Sequence, residues 1–160
     1  MSHPSPQPPL SGNNDEAFMA LALEAAARAA DAGEVPVGAV VVRGDVVVAV
    51  AHNRPIGQHD PTAHAEMLAI REAAAALGNY RLPDCRIYVT LEPCPMCAGA
   101  ILHARLNGLV FGATDPKTGA AGSVTNLFDS PQLNHQTSVV GGVCAEASSE
   151  LLRSFFRARR

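Results

Sequence analysis

The sequence lacks the features of a membrane-bound or secreted protein. No uncharged apolar run approaches the ~20 residues needed to cross a bilayer, so we expect no membrane partner. No charged segment followed by an apolar core stands near the first residue, as a signal peptide would require. There are only four cysteines, and we expect Cys85 and Cys144 to be core or near-core thiols without a disulfide. These absences predict a cytoplasmic protein.

A strong basic balance is also missing. The net charge of −3 does not by itself indicate a nucleic-acid-binding protein. The average hides a local excess, because the last ten residues contain Arg153, Arg157, Arg159 and Arg160 and no acidic residue. Such a cluster can neutralise phosphates, or it can be a solvated helix end where arginines favour the helix dipole. Composition alone leaves both interpretations open.

What is present indicates one globular domain. The chain has 160 residues, of which 48% are hydrophobic, and this is enough to bury a core. The first residues contain Pro4, Pro6, Pro8 and Pro9. We therefore predict a flexible proline-rich leader over residues 1–14 and a folded domain over residues 15–160.

Hydrophobic spacing alternates between helical and strand-like segments, as in a layered α/β fold. Residues 53–62 and 113–134 are rich in glycine and proline and are predicted to be loops. The continuous apolar runs of the first two strands predict burial on both faces. Helices are predicted over residues 15–32, 63–77, 94–105 and 144–159, and strands over residues 37–42, 46–51, 86–90, 108–112 and 137–141.

Two short motifs indicate chemistry: His64-Ala65-Glu66 and Pro93-Cys94-Pro95-Met96-Cys97. His64, Cys94 and Cys97 form a set of three zinc ligands, which leaves a fourth tetrahedral position open, as in catalytic zinc sites. Bound water loses its proton readily there. Glu66 lies two residues from His64 and can move that proton without binding the metal. The alternatives are a structural zinc knuckle or two unrelated buried cysteines, but a closed structural site would need a fourth ligand.

Both motifs are predicted to lie at helix starts. Thr62 is the expected N-cap of the second helix, which places His64 and Glu66 in its first turn. The two cysteines share one face of the next helix, and a helix N-terminus lowers thiol pKa. Helix starts that follow strands gather at one edge of a sheet, so we expect the two motifs to meet there.

The order His-x-Glu and then Pro-Cys-x-x-Cys resembles the zinc-dependent deaminases. Longer stretches make the resemblance closer to the bacterial tRNA-specific adenosine deaminases, over roughly residues 15–160. The matching stretches are Glu34-Val35-Pro36-Val37-Gly38-Ala39, Asn53-Arg54-Pro55, Asp60-Pro61-Thr62-Ala63-His64-Ala65-Glu66, Leu91-Glu92-Pro93-Cys94 and Lys117-Thr118-Gly119-Ala120-Ala121-Gly122-Ser123. The leader before Asp15 departs from the short start that is usual in that family.

The resemblance implies a three-layer α/β/α sandwich with a five-stranded mixed sheet, and a homodimer with one Zn²⁺ per subunit. It implies hydrolytic deamination of the wobble adenosine to inosine in the anticodon stem-loop of an arginine tRNA. By the same resemblance, His64, Cys94 and Cys97 bind zinc and Glu66 carries the proton. The alternative function is deamination of a free base or nucleoside of the guanine or cytosine type.

The resemblance further assigns substrate binding to Asn53, Val35 and Ala65, with Asn53 recognising the base and the other two lining the purine pocket. A carboxamide both donates and accepts hydrogen bonds, which suits Asn53 to this role. Its alternative is an Asx-type turn ahead of Pro55. Candidate contacts to phosphates or flanking bases are His59, Arg54, Lys117, His135 and the C-terminal arginines, each of which can equally be ordinary surface.

Overall fold

The computed structural model describes residues 13–130, 132 and 135–159. The elements, in chain order, are α1 (Asn13–Asp31), β1 (Gly38–Arg43), β2 (Val46–His52), α2 (Pro55–Gln58), α3 (Ala65–Leu77), β3 (Cys85–Leu91), α4 (Pro95–His103), β4 (Gly108–Ala113), β5 (Ser138–Val140) and α5 (Ala145–Arg157). None of the helices in these residues is long and apolar enough to cross a membrane.

The five strands form one mixed sheet in the order β2-β1-β3-β4-β5. β1 runs antiparallel to both β2 and β3, whereas β4 is parallel to β3 and to β5. The predicted hairpin is confirmed, since β1 ends at Arg43, β2 begins at Val46 and Gly44 between them has a φ of +62°. A positive φ is readily adopted by glycine, which has no Cβ.

Alternate residues of each strand point to opposite faces, and each face has its own core. On one face, Ala39 and Val41 of β1 pack with the alanines of α3 and with Ile101 of α4. On the other face, Val40 and Val42 pack with Phe18 of α1. The C-terminal helix α5 lies on the α1 side, where the Ser148 hydroxyl donates a hydrogen bond to the Thr90 carbonyl. This confirms the predicted three-layer α/β/α fold.

Two predictions about individual elements are wrong. The expected burial of β2 on both faces does not occur: β2 is an edge strand, with Val46 67% exposed and only Ala49 and Ala51 buried. The predicted loop 53–62 contains the short helix α2, which is held by a distant partner. The Glu34 carboxylate accepts hydrogen bonds from the backbone N–H groups of Ile56 and Gly57, at 3.1 and 2.8 Å.

Helix α1 begins at Asn13, two residues before its predicted start at position 15. The predicted leader over residues 1–14 lies, up to residue 12, outside the described residues. Asn14 and Asp15 lie inside this helix, where the Asn14 side-chain NH₂ donates to the Asp45 carboxylate and the Asp15 carboxylate accepts from the Tyr88 hydroxyl. Cys85 and Cys144 are free thiols, and Cys85 is buried, as predicted.

Candidate active site

Three donor atoms from two helix starts meet at one point. The Nδ1 atom of His64 lies 3.7 Å from the Cys94 sulfur and 3.5 Å from the Cys97 sulfur. All three donors lie within 4.8 Å of one another. A tetrahedral ion with a metal–sulfur bond of ~2.3 Å and a metal–nitrogen bond of ~2.0 Å places N and S roughly 3.5 Å apart. The donor types and the spacing therefore fit a zinc ion.

The protonation of the two thiols also fits a cation. The pKa of Cys94 falls to about 4, chiefly because the neighbouring Cys97 thiol hydrogen-bonds to it. The pKa of Cys97 is raised by its hydrogen bond to Cys94 and by burial, so a second thiolate is disfavoured on its own. The hydrogen bond to Cys94 raises the pKa of His64. A bound divalent ion would stabilise both thiolates and the neutral imidazole, as ligation requires.

At each of these two helix starts, a residue that supplies a metal-donor atom occupies the N-cap position, where a capping side chain would ordinarily stand. His64 and Cys94 are the N-cap residues of α3 and α4, both with extended backbone and without a side-chain capping bond. The predicted N-cap Thr62 is wrong. Its hydroxyl and its backbone N–H both donate to the Asp60 carboxylate, so Thr62 completes a turn before the helix instead. The predicted meeting of both motifs at helix starts is confirmed.

Glu66 lies in the first turn of α3 and is almost excluded from solvent, with 4% of its surface exposed. Burial raises its pKa to about 7, although its own backbone N–H and the adjacent His64 oppose this shift. The Cys97 thiol contacts it as well. A carboxyl group with a pKa near neutrality is suited to accept and return a proton at physiological pH.

Asn53 is joined directly to the start of α3. Its side-chain oxygen accepts a hydrogen bond of 2.8 Å from the backbone N–H of Ala65. An Asx-type turn ahead of Pro55 is therefore not its role. Its NH₂ group makes no hydrogen bond to the described part of the chain and can act only as a donor. Ala65 is fully buried, and Val35 is half-buried against the core that contains Ala65.

Glu92 is a site residue that sequence reasoning missed. Its buried carboxylate accepts hydrogen bonds from the backbone N–H groups of Asp115, Ala121 and Ser123, at 3.0, 2.9 and 3.1 Å, and from the Ser123 hydroxyl. It thus ties the loop after β4 to the residues just before Cys94. Glu34 is the second such residue, since it holds α2 beside Asn53. In both cases the partners are more than twenty positions away, so local sequence gave no indication of them.

The predicted basic contacts have different environments. Lys117, Arg153, Arg157 and Arg159 line one groove of about 770 Å³ together with Leu152 and Phe156. Arg153 and Arg157 are partly neutralised by Glu150, at 3.1 and 2.9 Å. The ring Nε2 of His135 lies 2.7 Å from the Leu106 carbonyl, so it is engaged in the fold. His59 ends α2 and is exposed, whereas Arg160 lies outside the described residues.

Comparisons with known proteins point in one direction. Residues 13–160 match a family model of MafB19-like deaminases. A curated tRNA-specific adenosine deaminase from Haemophilus influenzae is 52% identical over 147 residues, which cover 91% of this chain and 85% of that protein. A solved structure from work on A-to-I editing by tRNA:A34 deaminases at the wobble position of transfer RNA has a TM-score of 0.82 and 47% identity, and covers 85% of this chain and 99% of that one.

A guanine deaminase is a more distant match. The guanine deaminase of Bacillus subtilis is 35% identical, has a TM-score of 0.62, and covers 91% of this chain and 92% of its own. Identity to the tRNA enzymes is higher, and the match to the Haemophilus influenzae protein spans nearly the whole of both chains. This chain belongs to the family of tRNA-specific adenosine deaminases.

Proposed function

We propose that this protein hydrolyses the amino group of the wobble adenosine in the anticodon stem-loop of an arginine tRNA, giving inosine and ammonia. The observation that carries the proposal is the convergence of His64, Cys94 and Cys97 beside a buried Glu66 whose pKa is about 7. The family membership of the chain supports the choice of an RNA adenosine over other amino-substituted bases.

The chain's own residues would hold the metal and move the protons. His64, Cys94 and Cys97 would bind one zinc ion. Zinc, when bound, lowers the pKa of a bound water toward neutrality and so supplies the nucleophile. Glu66 would accept a proton from the attacking water and deliver it to N1 of adenine while a C–O bond forms at C6. It would then take the proton of the new C6 hydroxyl group and pass it to the amino group, so that the C–N bond breaks, the C6 carbonyl forms and ammonia leaves.

Asn53, Val35 and Ala65 would position the base. The Asn53 oxygen already accepts the Ala65 N–H, so we propose that its free NH₂ donates to an acceptor nitrogen of the purine. Val35 and Ala65 are apolar and would form part of the pocket wall. Because the target atom must leave its stack to reach such a site, an anticodon loop is an easier substrate than a duplex.

The direct test is ammonia release from arginine tRNA, compared with release from guanine, cytosine and free nucleosides. We expect release from the tRNA, with inosine at the wobble position detected by sequencing the product. Release of ammonia from guanine and not from the tRNA would instead support the alternative function. Guanine is included because a guanine deaminase is among the similar structures.

Metal dependence is tested by removing the ion. Dialysis against a zinc chelator should abolish turnover, and added zinc should restore it, because the donor set fits that ion. Elemental analysis should give one zinc per subunit, and loss of that zinc is expected in Cys97→Ser.

We also propose a homodimer and a cytoplasmic location. The dimer follows from the family resemblance, and sedimentation of the purified protein at several concentrations would measure it. The location agrees with the four free cysteines, since thiols stay unpaired in a reducing compartment.

A further inference from the structure

A second concentration of arginines lies outside the C-terminal helix. A cavity of about 310 Å³ opens where the end of α1, the edge strand β2 and helix α3 meet. We name it the arginine pocket after Arg28, Arg54 and Arg71, which line it. Its other lining residues are Val50, Ala51, His52, Gln58, Leu68 and Glu72. The three arginines are widely separated in sequence, so only the fold brings them together.

The charge of this pocket is poorly compensated. Arg28 and Arg54 form no ion pair within the part of the chain that the structure describes, and Arg71 has only a long contact of 4.0 Å to Asp60. Glu72 is the one carboxylate among the lining residues, against three guanidinium groups. By contrast, Arg153 and Arg157 of α5 both pair with Glu150. The pocket is therefore a site of net positive charge with free hydrogen-bond donors.

The pocket adjoins the candidate active site. Arg54 directly follows Asn53, and Arg71 lies in α3, seven residues after its N-cap His64. At 1.5 Å per residue, this separation is about 10 Å along α3. The pocket therefore lies within reach of nucleotides that neighbour a base held in the active site.

We infer that the arginine pocket binds a backbone phosphate of a nucleotide that flanks the target adenosine in the RNA strand. This inference rests on the proposed function and extends it to a phosphate subsite. Guanidinium groups bind phosphate oxygens in pairs, with charge-assisted hydrogen bonds. Such contacts fix the position of the strand without reading its sequence. The cavity is larger than a bare phosphate, so a phosphate with its attached sugar fits the space better.

The test is binding of the zinc-loaded protein to an anticodon stem-loop that already carries inosine, so that no turnover occurs. Arg28→Gln should raise Kd roughly tenfold, as expected for the loss of a charge-assisted hydrogen bond. The slope of log Kd against log salt should become shallower by about 0.7 to 0.9. Arg28→Lys keeps the charge but not the paired guanidinium donors, so it should lose part of the affinity while keeping the salt slope of the unaltered protein. Thermal unfolding of Arg28→Gln should match that of the unaltered protein, which would exclude a folding defect.

A change of opposite sign sharpens the test. Glu72→Gln removes the carboxylate from the pocket and should lower Kd about threefold, because repulsion of the phosphate is relieved. The matched controls are Arg43→Gln and Glu16→Gln, which make the same charge changes at exposed positions that do not line the pocket. Arg28→Gln should also raise KM for the adenosine-containing stem-loop while kcat stays unchanged, since Arg28 does not touch the reacting atoms.

Two results would overturn the inference. One is an Arg28→Gln variant that binds as the Arg43→Gln control does, and the other is a Glu72→Gln variant that binds no more tightly than Glu16→Gln. Failure of the proposed function is recognised separately, because the unaltered protein would then neither bind the stem-loop nor release ammonia from it.

Discussion

Glu66 and Glu92 stand in the same relation to the metal donors but have opposite ionisation behaviour. Each lies two positions from a donor, Glu66 after His64 and Glu92 before Cys94, and each is buried, with 4% and 2% of its surface exposed. Burial raises the pKa of Glu66 to about 7. Burial also acts to raise the pKa of Glu92, but the Ser123 hydroxyl and three backbone N–H groups outweigh it and hold that pKa below its ordinary value.

The difference shows that hydrogen-bond donors can hold a carboxyl group ionised although burial acts to protonate it. A carboxylate with four donors keeps its charge and fixes a loop, whereas one with few donors exchanges a proton near neutral pH. Two glutamates that are both shielded from solvent can thus differ in ionisation within one site. The predictions below test this contrast.

The largest effect is expected for Glu66→Gln. The amide cannot accept and return a proton, so turnover of tRNA should fall at least roughly a thousandfold. Zinc content should be unchanged, and the free energy of unfolding should stay equal or rise, since glutamine carries no charge to bury. Ammonia release, elemental analysis and denaturant unfolding measure the three quantities. Turnover within tenfold of the unaltered protein would show that Glu66 is not the proton carrier.

Glu92→Gln should lower the free energy of unfolding, whereas Glu66→Gln should not. An amide NH₂ placed against N–H donors leaves buried groups unpaired, and we expect a loss of roughly 2–4 kcal/mol in unfolding free energy. Denaturant unfolding measures this loss. Glu24→Gln, at an exposed position of α1, provides the control and should change stability little. Equal stability of Glu92→Gln and the control would contradict the structural role.

Gly119 allows a test of the loop that Glu92 holds, and Gly99 in α4 provides a contrast. A Cβ at Gly119 would lie 2.4 Å from Cδ of Glu92, so Gly119→Ala should cost about 1–3 kcal/mol through overpacking. Gly99, within α4, has no atom within 4 Å of such a Cβ. Gly99→Ala should therefore stabilise the protein by roughly 0.5–1 kcal/mol through helix propensity. Thermal unfolding of both variants should show shifts of opposite sign.

The smallest effect concerns Glu150, an exposed carboxylate with donors. Hydrogen bonding to Arg153 and Ser154 lowers its pKa below the ordinary value. Because the folded pKa is the lower one, its stabilising contribution is present above the unfolded pKa and is lost as pH falls through the folded pKa. Glu150→Gln should therefore be slightly less stable at neutral pH, and the difference should vanish in acid. Unfolding curves at pH 7 and in acid would measure it.

Much of the fold was predictable because short stretches of sequence determine the helices and strands through the spacing of their hydrophobic residues. The β1–β2 hairpin, the helix starts at both motifs and the donor set His64, Cys94 and Cys97 followed from short sequence patterns. The prediction failed where distant residues decide the outcome. Helix α2 depends on Glu34, and the edge position of β2 depends on strand order, which hydrophobicity does not specify.

The same limit applies to charge. Arg153 and Arg157 of α5 stand close together in the sequence, yet Glu146 and Glu150, one or two turns earlier, pair with them. Arg28, Arg54 and Arg71 are scattered along the chain, and no window of sequence contains all three. Proximity in sequence therefore pointed to arginines that are paired, whereas the arginines that come together only in the folded structure are largely unpaired.

The placement of His64 and Cys94 just before their helices has a consequence for insertions and deletions. A change of length in the loop between Asn53 and His64 can be absorbed there without rotating the His64 donor, whereas Glu92, two residues before Cys94, leaves no such room. A residue inserted between Cys94 and Cys97 would instead turn the second sulfur by about 100° around the helix axis, away from the first. Natural variation in length should therefore accumulate in the loop ahead of His64 and be absent between the two sulfurs.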